Sequence, residues 1–216
     1  MKTVWSFIGV LLLFLSSCKK EDPICPPTPP NYMPLDIGNY WVYETFRVDT
    51  NGTELMLNFH DSMVVTGDTI INNETYAKIE GTYGPFHRQW GIVGILKYED
   101  GNLTTPNGDT VFAANDFTKI FREQYEIIGN NDTLYHRSFR MFDHNYDVTV
   151  PAGTFPILDF MGTYTYFQNI PGVPNPRLVH NYYAENVGKV KSTYFYMSSP
   201  SIFEIRLMDY HVHLPD

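Results

Sequence analysis

Near the end of the chain Asp209, His211 and His213 stand at alternate positions, a spacing that puts two imidazoles and a carboxylate on one face of an extended strand. Such a set can hold zinc, but no fourth ligand lies nearby, and Leu207, Ile205 and Phe203 continue the same face as an apolar stripe. A solvated chain end explains the pattern more simply, so the metal assignment is none. His60-Asp61 and Asp143-His144 each set an acid beside a histidine, yet neighbours on a strand point to opposite faces and cannot pair directly. They read as surface polar residues. Gly-x-Ser-x-Gly, His-Glu-x-x-His, P-loop, Gly-x-Gly-x-x-Gly and Cys-x-x-Cys patterns do not occur, which removes the sequence marks of the common nucleophilic, zinc and phosphate sites. The 24 acidic residues are scattered and single out no carboxylate pair for glycoside hydrolysis. No catalytic residue and no cofactor are assigned. What remains is a supply of rings, among them Tyr43, Tyr182, Tyr183, Tyr194 and Tyr196, that can either fill a sheet face or line a ligand groove. Trp41, Trp90, Tyr164 and Tyr166 are put forward as ligand-contact aromatics.

These side chains need strands to carry them. From Asn39 onward apolar and polar residues alternate over short stretches divided by Asn, Gly and Asp. Tyr40, Val42, Phe46 and Val48 share one face of a first strand, and further strands are expected near 53–66, 75–82, 86–98, 109–114, 132–142, 154–168, 177–184, 187–197 and 202–213. Asn51-Gly52, Asp100-Gly101 and Asn107-Gly108 tolerate the positive φ of primed hairpin turns, with Asn72-Asn73 and Asn130-Asn131 as further turn candidates. Segment 154–168 is apolar on both faces and belongs centrally. Over 116–128 the residues Phe117, Ile120, Phe121, Tyr125 and Ile128 recur at helical steps, with Asn115 or Asp116 as N-cap; the same stretch also alternates as a strand, and both readings stand. Pro171 to Pro176 forms an exposed loop. The class is therefore all-β with at most one or two short helices, a single antiparallel curved sheet or incomplete β-barrel, with a β-sandwich as the alternative.

The N-terminus has its own chemistry. Met1-Lys2 gives a charged start, Val4 to Leu15 an apolar run, and Leu15-Ser16-Ser17-Cys18 a small-residue site ending in cysteine, the order of a secretory signal peptide. The run is shorter than the about 20 apolar residues that span a bilayer. Leu-Ser-Ser-Cys resembles the bacterial lipobox, in which cleavage precedes a lipid-modified cysteine. That resemblance implies a signal peptide over 1–17, acylation of Cys18 and a membrane partner through the acyl anchor. An uncut anchor and an incidental cysteine are the alternatives. Lys19, Lys20, Glu21 and Asp22 resemble the export tag of Bacteroidetes-type surface lipoproteins, and an ordinary solvated cluster is the competing reading. The prolines that follow make residues 18–31 a stiff tether, leaving 32–216 as the β domain. Cys25 then has no intramolecular partner and is given no role.

Lys+Arg 15 against Asp+Glu 24 leaves a formal charge of −9, which repels phosphate backbones; no nucleic-acid partner is expected. Three stretches, Tyr32–Tyr43, Val148–Phe155 and Tyr183–Lys191, resemble poorly characterised Bacteroidetes-type lipoproteins. The resemblance implies a curved sheet similar to the LolA/LolB lipoprotein carriers and brings no catalytic residues. Asp61-Ser62-Met63, Asp68-Thr69-Ile70, Asp109-Thr110-Val111 and Asp132-Thr133-Leu134 resemble Bacteroidetes-type O-glycosylation sites, or simply start strands. The reading is an outer-membrane lipoprotein, lipid-anchored with its body on the cell surface or periplasmic side. It serves as a non-catalytic binding or accessory module for an apolar ligand, a glycan or a partner protein. A surface glycan hydrolase and a structural envelope protein are the alternatives.

Overall fold

Alternation becomes strand pairing along the whole body of the chain. The computed structural model describes residues 30–85, 87–129 and 132–213; the cleavage site, Cys18, Lys19, Lys20, Glu21, Asp22, Cys25 and Asn130-Asn131 lie outside the described residues. Fifteen strands and no helix occur among the described residues. They are β1 (Tyr40–Val48), β2 (Glu54–Ile71), β3 (Glu74–Tyr83), β4 (His87–Glu99), β5 (Asn102–Thr104), β6 (Thr110–Ala113), β7 (Arg122–Ile128) and β8 (Asp132–Phe142). Then follow β9 (Asp147–Val150), β10 (Gly153–Pro156), β11 (Leu158–Tyr166), β12 (Arg177–Val179), β13 (Asn181–Ala184), β14 (Gly188–Tyr194) and β15 (Ile202–His211). One antiparallel sheet runs in the order β6-β5-β4-β3-β2-β1-β15-β14-β13-β11-β8-β7, with β12 paired to β11 and a separate β9–β10 hairpin. The sheet curls until nearly closed, leaving one seam where β6 and β7 end it. This is the incomplete barrel, not the sandwich, and curling hides all but two edges.

Turn chemistry fixes much of the register. Asn72 and Asn73 (φ 53° and 66°) join β2 to β3, and Asp100 with Gly101 (φ 51° and 79°) join β4 to β5, each pair left-handed as a primed turn requires. On β1 a register shift against β15 falls between Val42 and Tyr43. The expected apolar face is nonetheless corrected: the extra residue is Met208 of β15, so β1 alternates unbroken, and its odd positions Trp41, Tyr43 and Thr45 enter the core while Phe46 packs under the Arg206 guanidinium at 4.4 Å. The 116–128 ambiguity resolves to strand. Asp116 is a real cap, its Oδ1 accepting the N–H of Thr118 and of Lys119 at 3.0 and 3.1 Å, but it closes a turn that leads into β7. Segment 154–168 is broken at Ile157 into β10 and β11; β11 is central, between β8 on one side and β12 and β13 on the other.

The core fills the concave face. Trp41, Tyr43, Ile79, Leu103, Phe112, Met141, Val190 and Leu207 are fully buried there. Phe112 of β6 reaches Tyr183 of β13 with ring centroids 4.6 Å apart, packing one end of the sheet across the interior. The three stretches with lipoprotein resemblance meet around this core. Asn39, fully buried, donates to Pro34 O and accepts the His213 N–H at 2.8 Å, and the Ala152 N–H reaches Leu207 O at 3.1 Å. The polar atoms of Asn39, Trp41 and Tyr43 all find backbone partners, an architectural use of polar side chains.

Candidate functional site

The concave face continues past the core into an open hollow of ≈ 280 Å³ lined by Tyr135, Tyr164, Val179, Tyr194, Phe195 and Met197. Strand alternation places Tyr164 on the same inward face of β11 as Phe160, and Tyr135 enters from neighbouring β8. The rings brace one another: Tyr135 and Tyr164 lie 5.5 Å apart, and Phe195 meets Tyr164 edge-on at 5.2 Å. Arg177 fixes the outer wall. Its guanidinium sits 3.9 Å over the Phe195 ring and donates to the carbonyls of Tyr196, Ser199 and Ser201, so the loop after β14 is tied at three points. Burial pushes the Tyr194 phenol up to about 12, and burial likewise raises Tyr135. At neutral pH the lining is uncharged, offering apolar surface and hydroxyl groups only. The hollow lies just below the ~300–1,000 Å³ of pockets for drug-sized ligands.

A second, smaller cavity of ≈ 90 Å³ lies deeper, among Met63, Ile79, Leu96, Leu103, Tyr83 and Lys189. The Lys189 ammonium stands 5.3 and 5.4 Å from the ring centroids of Tyr83 and Tyr183. Burial alone pulls its pKa down to about 8. Neighbouring Lys191 is by contrast paired with Glu204 at 2.7 Å. A third place is an open groove of ≈ 500 Å³ that includes Glu99, Asp100, Asp116 and Lys119. It is polar, and Asp116 is already engaged in its own turn.

On the convex face His144, Asp159 and His180 form the one group of three metal-capable side chains within 4.8 Å among the described residues. Asp159, fully buried, accepts from His144 Nε2 at 3.0 Å and His180 Nδ1 at 2.7 Å on Oδ2, and from the Asn181 N–H at 3.1 Å on Oδ1. Two ligands on a tetrahedral zinc with bonds of about 2.0–2.1 Å stand about 3.3 Å apart. The observed spacings are shorter, so the arrangement is a carboxylate bridging two imidazoles. It pins the β8–β9 connection and the start of β13 to β11. His144, expected beside Asp143 as an exposed polar residue, has Asp159 as its partner, and the signal for it is a lone acid inside the apolar run Leu158–Tyr166.

The sequence-derived residues separate. Trp41 is fully buried in the core and has no surface left for a ligand. Trp90 is exposed on β4, away from the hollow lining. Tyr164 lines the hollow, and Tyr166 is buried beside it, its backbone N–H and C=O both held by the Asn175 amide. Tyr135, Phe195 and Met197 were not singled out from sequence. His211 and His213 pack ring to ring at 4.6 Å, with Asp209 exposed. His60 reaches Glu44 at 2.6 Å while Asp61, on the opposite face, is buried and accepts the Gly84 N–H. Asp109-Thr110 and Asp132-Thr133 open β6 and β8, whereas Asp61-Ser62 and Asp68-Thr69 lie inside β2.

No family model matches the chain, and no curated protein matches it. Two solved structures are similar to it. One is a protein from Parabacteroides distasonis described as a lipoprotein, at 15% identity and TM-score 0.45, covering 84% of this chain and 99% of that one. The other is a protein from Bacteroides fragilis described as exported and with a YmcC-like fold, at 14% identity and TM-score 0.47, covering 83% and 98%.

Proposed function

We propose that the chain is a cell-envelope lipoprotein, anchored through Cys18 in the outer membrane, whose β domain is a binding module for an uncharged apolar ligand held in the aromatic hollow. The carrying observation is the lining: Tyr135, Tyr164, Tyr194 and Phe195 with Val179 and Met197, on a wall that Arg177 holds in place. Apolar surface presented on a braced scaffold binds without first paying to order itself. The resemblance at Leu15–Cys18 supports the anchor, and the proline-rich tether supports a body held clear of the lipid. The binding reading is tested by titrating a neutral naphthylamine probe into the protein and into Tyr164→Ala. Saturable binding weakened about tenfold by the loss of one buried ring is expected. Absence of binding, or equal binding by both proteins, contradicts the role of the hollow. Turnover of a polysaccharide would favour the hydrolase instead. Acyl labelling and an intact mass beginning at Cys18 test the anchor.

A further inference from the structure

Lys189 sets a cation among apolar walls with no anion to match it. We propose that the ≈ 90 Å³ cavity at its ammonium is a binding site for a small aliphatic carboxylate, separate from the aromatic hollow and sharing no lining residue with it. Among the described residues no carboxylate forms an ion pair with Lys189, whereas Lys78, Lys97 and Lys191 each have one. The titratable groups around it form no ion pair with it. Tyr43, Tyr83 and Tyr183 have phenols raised by burial, so they stay neutral, and Asp61, beside Tyr83, holds the Gly84 N–H on Oδ2 at 2.9 Å and does not reach Lys189. Tyr43 donates to the Lys189 carbonyl, not to its side chain, and Tyr83 pairs with Ser192.

Lys189 is half-buried, and a cation partly withdrawn from water without an anion is costly, so a ligand that supplies one binds where nothing else in the fold competes. The walls decide the rest of its chemistry. Met33, Met63, Ile79, Val93, Leu96 and Leu103 give water few partners beyond the ammonium itself, while a buried water needs two to four. Methylene groups suit the same walls. At about 30 Å³ per water the cavity has room for about three, which is the bulk of a carboxylate on a two- or three-carbon tail.

Sodium butyrate, 1-butanol and inorganic phosphate are titrated against the full-length chain in detergent micelles, with lysines dimethylated with carbon-13 and followed by NMR. The dimethylamine signal missing from Lys189→Arg identifies Lys189. Butyrate is expected to bind saturably and to move that titration upward by about one unit, the linkage counterpart of a tenfold preference for the charged amine. Butanol is expected to leave it in place, and Lys189→Met to weaken butyrate about tenfold. Equal responses to butyrate and butanol, no movement of the titration, or a response to phosphate as strong as that to butyrate would each overturn the site. The titration on the unsubstituted chain decides the matter if the variant does not fold.

Discussion

The indole N–H of Trp41 donates to the carbonyl of Val187 at 2.6 Å, and the following residue, Gly188, lies so close that a Cβ there would stand 2.9 Å from Nε1. Residues 146 positions apart are thereby locked at the centre of the core. Two of the three stretches with lipoprotein resemblance, Tyr32–Tyr43 and Tyr183–Lys191, touch at this point. At this contact the two stretches hold the sheet closed.

Gly188→Ala should therefore destabilise the fold by about 2–4 kcal/mol. The new methyl meets the indole and the Met33 sulfur at 3.3 Å, and φ is +106°, a conformation that side chains rarely adopt. Urea unfolding checks it: the midpoint falls while the slope stays constant.

Asp159→Asn is expected to cost about 2–4 kcal/mol, because an amide NH2 in place of Oδ2 cannot accept from the two imidazoles, while the remaining oxygen still accepts the Asn181 N–H. Asp209→Asn, at an exposed position, is the control and should change stability by less than about 0.5 kcal/mol. Thermal melts of the two variants compare the effects directly.

Lys189 gives a pH dependence with a definite sign. Its folded pKa of about 8 lies below the ordinary 10.5, so the penalty of burying the charge is fully present below about 8 and disappears as pH rises to 10.5. Lys189→Met should be more stable than the parent by on the order of 2 kcal/mol at pH 7, and the gap should close toward pH 10.5. Taking the difference between the two proteins removes the contribution of the buried tyrosines, which titrate in both.

Arg177→Lys should loosen the hollow without unfolding the sheet. An ammonium cannot copy the fork that reaches Tyr196, Ser199 and Ser201 together. Amide exchange at Ser199 is expected to quicken by about tenfold or more, and naphthylamine binding to weaken, with the far-ultraviolet dichroism unchanged.

Much of this architecture was legible in the chain. Asn72-Asn73 and Asp100-Gly101 marked their turns through a demand for positive φ, and alternation located most of the long strands, although β2 runs on to Ile71, the short β5 and β9 went unmarked, and the expected strand 177–184 is broken at His180. The break at Ile157 was not legible, because residues on both sides of it are apolar. Nor was the face of β1, since Tyr40, Val42, Phe46 and Val48 on one side and Trp41 and Tyr43 on the other are both apolar sets, and alternation alone does not say which enters the core. The hollow was half legible. Tyr164 could be named from its place in an apolar strand, but Tyr135, Phe195 and Met197 join it only through pairing across β8, β11 and the loop after β14. Asp159 and its two histidines, 15 and 21 positions away, lie beyond any local spacing rule.

The most direct test of the binding account is native mass spectrometry of the protein released intact from its own envelope, run beside a Tyr164→Ala, Tyr194→Ala double variant. The hollow predicts a discrete, uncharged apolar adduct on the parent protein that is lost from the variant while the variant keeps its fold. A parent spectrum free of adduct, or an adduct that both proteins retain equally, would contradict it.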